Sequence, residues 1–486
     1  MNLKAYLVRT LWDEKLRNPL GLGLLAVLAG GVALLVGFYG VLPGLLLMAA
    51  MVALPTVYAI VAYPKFGIVV LLITAYFLFF FLRLGLNFPI GTLMDAMEWL
   101  LILGMILTFR NTTDRTVFKS PVAMMIMVWV GYTVLQVANP WAESRMAWLY
   151  TVRTVGAVTL MYYVFVYRID SIAYLRLLVR LWVVLAFLGA LYGFKQEYLG
   201  FAAAEFQEMS SDPLMVSLLY IDGHWRKYSV FSDPVTFSYN MVLAFFICLS
   251  LIRAKASLAA NGLLIAVGGL CIMAMLFSAT RGAYVLIPAG LTLFFILQFS
   301  KKILWLALAS VFVLGVLITI PTSNPTLYRF QSAFKPSDDA SFNLRAQNQK
   351  RIQPYILSHP MGGGLGATGA WGVRFAPNSY LASFPPDSGY MRIAAEMGWI
   401  GLLLFGILLF LILKTGIDTF YLLRNRELKS YCLAMTVAVF VLGIGSYPQE
   451  AIVQFPSNIL FYLAAAIIQC TQKLDYPTPD LLSNDS

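Results

Sequence analysis

Apolar residues run through this chain in blocks of roughly twenty, separated by short polar connections, and a helix needs about that many to cross the hydrocarbon core of a bilayer. The blocks fall at about 20–39, 44–63, 66–84, 91–109, 120–138, 148–167 and 175–196, then at 236–253, 259–279, 282–299, 302–321, 396–415, 430–447 and 454–471. The pattern predicts an all-α, polytopic membrane bundle of about 14 transmembrane helices, because helices satisfy their own backbone groups in lipid. Two polar stretches interrupt it, one near 196–235 and a longer one over 322–395. The short alternating segments of a membrane β-barrel are absent.

Composition and charge sharpen this reading. The chain is 60% hydrophobic and 12% charged, more apolar surface than a soluble core can absorb. The net charge of +11 does not point to nucleic acid, because the basic residues follow membrane topology. Lys65, the Arg110–Lys119 connection, Arg168 with Arg176, Arg253, Lys301 and the Lys414–Lys429 connection fall in every second connection, all on one side of the membrane. The alternation places segment 1–19 and tail 472–486 in the cytoplasm and loop 322–395 outside it. Residues 1–19 are charged and lack the apolar core of a cleavable signal peptide. Cys248, Cys271, Cys432 and Cys470 all sit in apolar runs, so neither a disulfide nor a thiolate metal site is expected. Gly364 to Gly369 matches a dinucleotide pattern in letters only, since no strand precedes it, and no cofactor is expected.

The informative residues are cations on the outer side, against the general trend. Arg226 and Lys227 stand in the first outer stretch, Arg281 in a tight turn between two spans, and Arg329, Arg345, Lys350 and Arg351 in the long loop. An arginine fork matches phosphate oxygens in pairs, so a gathered set would form an outward-facing anion site. The competing reading is that Arg281 snorkels to lipid headgroups and the rest form a solvated face. Asp95 and Glu98 lie near the outer end of the fourth block and are expected to reach the interface, with Arg153 as a potential partner. Asp338-Asp339 reads as a solvated turn. His224 and His359, the two histidines, show no metal spacing.

Three motifs resemble the bacterial O-antigen polymerase and O-antigen ligase superfamily of polytopic glycosyltransferases. The first is Arg226 followed by Phe231-Ser232-Asp233-Pro234 and a new span. The second, Ser278-Ala279-Thr280-Arg281-Gly282, is similar to the family's Ser-x-x-Arg-Gly turn. The third is the long loop, with Arg345 and Arg351, His359-Pro360 before a Gly-rich run, and Glu396-x-Gly398-x-x-Gly401 at its exit. The resemblance covers about residues 220–413. One departure stands out. The ligases typically carry a His-Asn pair nine residues before the conserved Glu, and here Asp387-Ser388 occupies that place.

The resemblance implies transfer of a glycan from an undecaprenyl diphosphate carrier to a sugar hydroxyl, at the outer face of the bacterial inner membrane. Arg226, Arg281, Arg345 and Arg351 are then the diphosphate-binding candidates, with Arg281 also catalytic. Asp387 is either the base for the acceptor hydroxyl or an N-cap for the following helix. Glu396, His224, His359 and Tyr390 are secondary candidates, and Glu396 at the helix start is either chemical or structural. The implied partners are the lipid-linked oligosaccharide, an acceptor glycan or lipid A core, membrane lipids and other polysaccharide-assembly proteins. Asp387 favours a polymerase over a ligase. The rival from another class is a lipid-linked glycan flippase or polysaccharide exporter, which should show two related halves that this chain lacks.

Overall fold

With no water in the hydrocarbon, a chain must pair its backbone groups within each spanning segment, and this chain does so with helices. The computed structural model describes residues 19–39, 55–83, 90–109, 116–221, 223–252, 257–322, 325–334 and 340–475. Residues 1–18, the start of the expected span 44–63, the Asp338-Asp339 turn and the tail beyond 475 lie outside the described residues.

The chain forms two compact units, Met1–Tyr63 and Pro64–Ser486. In the first, α1 covers Pro19–Tyr39. The second begins with α2 (Pro64–Arg83), α3 (Ile90–Phe109), α4 (Pro121–Leu135), α5 (Arg145–Arg168) and α6 (Ile172–Tyr198). Two short helices follow, α7 (Ala203–Ser211) and α8 (Pro213–Leu219), then a two-stranded antiparallel hairpin, β1 (Tyr220–Ile221) with β2 (His224–Trp225). Four apolar helices come next: α9 (Pro234–Leu251), α10 (Leu258–Phe277), α11 (Arg281–Leu297) and α12 (Lys301–Thr319). The long polar stretch holds α13 (Pro325–Ser332), α14 (Ala340–Ser358) and α15 (Gly369–Phe375). The fold closes with α16 (Gly389–Leu422), α17 (Arg426–Gly445) and α18 (Ser457–Asp475).

Among the described residues, nine helices are long and apolar enough to cross a membrane. The all-α polytopic expectation therefore holds. The expected spans at 20–39, 282–299 and 302–321 fall on helices whose apolar stretches are shorter, and 454–471 falls on α18. The expected boundary at 396 moves, because α16 already begins at Gly389.

Local chemistry sets the helix starts. Pro121 and Pro234 sit in the first turn, where a missing N–H costs nothing. Ser120 caps α4, and Asp233 caps α9 by accepting from the Val235 and Thr236 amides at 2.8 and 2.9 Å. Helices α9 and α17 form the centre, with 78% of each apolar window buried, against 28% for the peripheral α10 and α16. Helix α11 packs closely there because Gly290 has no side chain: a Cβ would collide with Phe246 and Val441.

Asp95 and Glu98 correct an expectation. They do not reach an interface; both are buried within the bundle. Arg153 Nη2 meets Asp95 Oδ2 at 2.8 Å, so the anticipated partner is present.

Candidate active site

The tight turn between α10 and α11 is a junction for arginines. Ala279 adopts φ +49°, a left-handed conformation that turns the chain sharply. The turn then presents two carbonyls to guanidinium groups. Arg226 Nε donates to Ser278 O at 3.0 Å, its Nη2 to Thr280 Oγ1 at 3.0 Å and its Nη1 to Leu218 O at 3.2 Å. Arg329 Nε donates to Ala279 O at 3.2 Å. Arg281 follows as the first residue of α11. The three cations feel one another: the Arg226 pKa is pushed down to about 10, by burial first and then by Arg329 and Arg281, with Asp233 and Tyr284 opposing.

Next to this turn lies a cavity of about 580 Å³. Arg281 and Arg345 line its polar part, with Gln349, Tyr390 and Tyr447. Leu409 and Leu413 of α16 and Phe440 of α17 continue its wall into the apolar bundle. The shape suits an amphiphile with an anionic head and a hydrocarbon tail. On the other face of α11, Tyr284, Pro288 and Leu291 line an apolar groove of about 770 Å³.

Asp387 stands two residues before α16. The N-cap of that helix is Ser388, with extended backbone, and its hydroxyl donates to Ser446 O at 3.1 Å. The Asp387 carboxylate instead accepts from Asn348 Nδ2 of α14 at 3.0 Å. Tyr390 is tied down by its hydroxyl, which donates to Gly443 O at 2.6 Å.

Glu396 holds the Gly-rich run. Its carboxylate accepts from the Gly366 amide at 3.0 Å, the Thr368 amide at 3.3 Å and the Thr368 hydroxyl. Arg392 Nε adds a further bond to it at 3.2 Å. Two residues on, Gly398 breaks α16 at φ +71° and ψ −176°, and a Cβ there would run into the Pro360 carbonyl. The Gly363 and Gly364 amides fill the break by donating to Ala395 O and Glu396 O, each at 2.9 Å. The Glu-x-Gly pattern thus locks the long loop onto the membrane helix.

The remaining candidates lie apart. Arg351 is exposed, with its guanidinium 5.8 Å from the Tyr380 ring centroid, and does not line the cavity. His224 is exposed on β2. His359 stacks on Tyr355 at 4.0 Å, and its Nδ1 is engaged by Ser358 Oγ and Tyr355 O, both at 2.9 Å. Three residues absent from the sequence-based site complete the neighbourhood. Asn348 reaches Asp387, Arg392 bonds Glu396, and Glu450 Oε2 accepts from Arg392 Nη1 at 2.9 Å. The helical spacing of Asn348 after Arg345 was a usable signal; Glu450, in the connection after α17, offered none.

A helical membrane bundle with arginines at one end of an otherwise apolar cavity defines a class: polytopic membrane proteins with an amphiphilic cavity. Within that class, the family model described as O-antigen ligase matches residues 241–406, which supports the O-antigen polymerase/ligase superfamily for this chain. The matched segment contains Arg281, Arg345, Asp387 and Glu396, and lies between Arg226 and Glu450. The match supports a glycosyltransferase-like membrane enzyme acting on a lipid-linked glycan and an acceptor. No curated protein matches the chain.

Proposed function

We propose that this protein transfers a glycan from an undecaprenyl diphosphate carrier to a sugar hydroxyl, at the outer face of the bacterial inner membrane, and that it acts as a polymerase. The observation that carries the reading is the shared cavity: Arg281 and Arg345, from elements far apart in sequence, stand over walls of Leu409, Leu413 and Phe440. Diphosphate is a good leaving group, so the reaction asks chiefly for stabilisation of the charge that develops on it. Two preorganised guanidinium forks at the head of an apolar cavity supply that, an effect worth about 3–4 kcal/mol per donor in comparable sites. Arg226 supports the same charge from behind by holding the turn that carries Arg281. Asp387, oriented by Asn348, receives the acceptor hydroxyl. We take the transfer to be metal-independent and inverting at the anomeric carbon.

The test is purified protein with lipid-linked oligosaccharide as donor. A ladder of products on the lipid carrier supports polymerisation. Product made only when lipid A core is supplied replaces it with ligation. Movement of the lipid-linked glycan across a vesicle membrane, with no new glycosidic bond, supports the transporter reading instead.

A further inference from the structure

Beside the start of α16 lies a second chamber, of about 260 Å³, that the reaction outlined above does not use. Five helices contribute to its wall: α4, α5, α15, α16 and α18. One seam divides it from the arginine cavity. The Gly389 amide donates to Ser446 O at 2.9 Å. Gly389 and Ser446 line the second chamber, whereas their neighbours Tyr390 and Tyr447 line the first. Asp387 stands two residues before this seam.

The chemistry of the two cavities differs. Arg392 lines the second chamber, but its guanidinium already lies between two carboxylates, Glu396 at 3.2 Å and Glu450 at 2.9 Å. No positive surplus is left there to attract a diphosphate. What remains is donor capacity. Arg392 Nε and Nη1 each serve a carboxylate, while Nη2 makes no hydrogen bond among the described residues, and neither does the Trp371 indole N–H. Aromatic rings supply much of the rest, since Trp129, Trp371 and Tyr462 line the same space. Trp371 is held by ring contacts with Tyr150 at 4.8 Å and Phe375 at 6.0 Å. The chamber falls just below the size range of sites for drug-sized ligands, which suits one ring rather than a lipid tail.

A neutral sugar ring answers both features. Its hydroxyl oxygens accept from N–H groups, and its apolar C–H face lies against an aromatic ring. We infer that this chamber is a saccharide subsite, which takes a neutral sugar ring of the acceptor glycan. The assignment to the acceptor rests on the glycosyl-transfer reading above. The donor's diphosphate belongs with Arg281 and Arg345 across the seam, which leaves the second chamber to the other substrate.

The test is a binding measurement that needs no turnover. Purified full-length protein in detergent is titrated with the repeat-unit oligosaccharide freed from its lipid carrier by mild acid, and binding is read by equilibrium dialysis. Saturable binding is expected, and saturating inorganic diphosphate should not displace it. Trp371→Ala should raise the Kd about tenfold by removing the ring and its donor. In turnover the same variant should raise the acceptor KM by a similar factor, while the donor KM stays within about twofold. Val155→Phe, which builds a ring into the chamber from the α5 wall, should do the same, and it decides the matter should Trp371→Ala fail to fold. Wild-type protein that binds no oligosaccharide, binding that diphosphate displaces, or binding that survives both substitutions overturns the inference. Failure of the glycosyl-transfer reading looks different: the oligosaccharide would still bind in the chamber, and no glycosidic bond would form.

Discussion

Asn348 donates to Asp387 across the gap between the polar helix α14 and the start of α16, at 3.0 Å. One hydrogen bond thereby couples the helix that carries Arg345 to the carboxylate assigned to the acceptor. An Asp387→Asn protein should keep its fold, because Ser388 holds the N-cap and an amide oxygen still accepts from Asn348. Its turnover should fall by about 10²–10⁴-fold, the usual worth of a positioned general base. Steady-state rates beside a thermal melt in detergent would check both halves. Full activity in Asp387→Asn removes the base role.

The four candidate arginines are not equivalent. Arg345→Ala should weaken donor binding about tenfold or more, since hydrogen bonds to a charged group are the strong kind. Arg281→Lys keeps the charge but loses the planar fork, so kcat/KM should drop by a similar factor. Arg351→Ala should change either constant by less than about twofold, as exposed charges contribute little. Titrating the lipid-linked donor separates the three. Equal damage from Arg351→Ala and Arg345→Ala would place the diphosphate away from the cavity.

How much of this could be read in advance follows from range. Blocks of apolar residues announce helices because length and hydropathy are local, so the all-α polytopic character was visible, while nine helices of membrane length stand among the described residues where about 14 were expected. Arg281 was visible because a cation in a tight turn breaks a local rule. The same locality hid the rest. The burial of Asp95 and Glu98 depends on which helices surround α3. Arg351 lies six residues after Arg345, yet it stands exposed while Arg345 lines the cavity. Glu450 meets Arg392 across some sixty positions of chain, where its connection is stitched to Gly389.

Glu396 separates structure from chemistry. It is buried, and its carboxylate is held by Gly366, Thr368 and Arg392. Glu396→Ala strands those amides and leaves Arg392 without one of its two carboxylates, so it should cost about 3–5 kcal/mol of stability. Glu396→Gln, which retains an acceptor oxygen, should cost less. The readout is the melting temperature in a fixed detergent, with turnover measured well below it. A Glu396→Ala protein that melts like wild type but turns over poorly would move Glu396 from the scaffold to the reaction.

The arginine turn makes a last prediction, about anions and pH. Folding lowers the Arg226 pKa to about 10, through burial and its cationic neighbours. Between that value and the ordinary arginine range the unfolded chain holds the proton more tightly. This group's contribution to stability therefore rises with pH in that window and sits at its least favourable below it. At neutral pH the cluster of Arg226, Arg281 and Arg329 consequently burdens the fold, and a bound anion should relieve that burden. Inorganic diphosphate at about 100 times its Kd should stabilise the protein by about 2.7 kcal/mol. The gain should shrink with added salt as the charges are screened. Arg281→Gln should reduce it by removing a fork from the cavity. A melting temperature that ignores diphosphate, in a protein that still turns over its lipid-linked donor, would show that the donor's charge is held elsewhere.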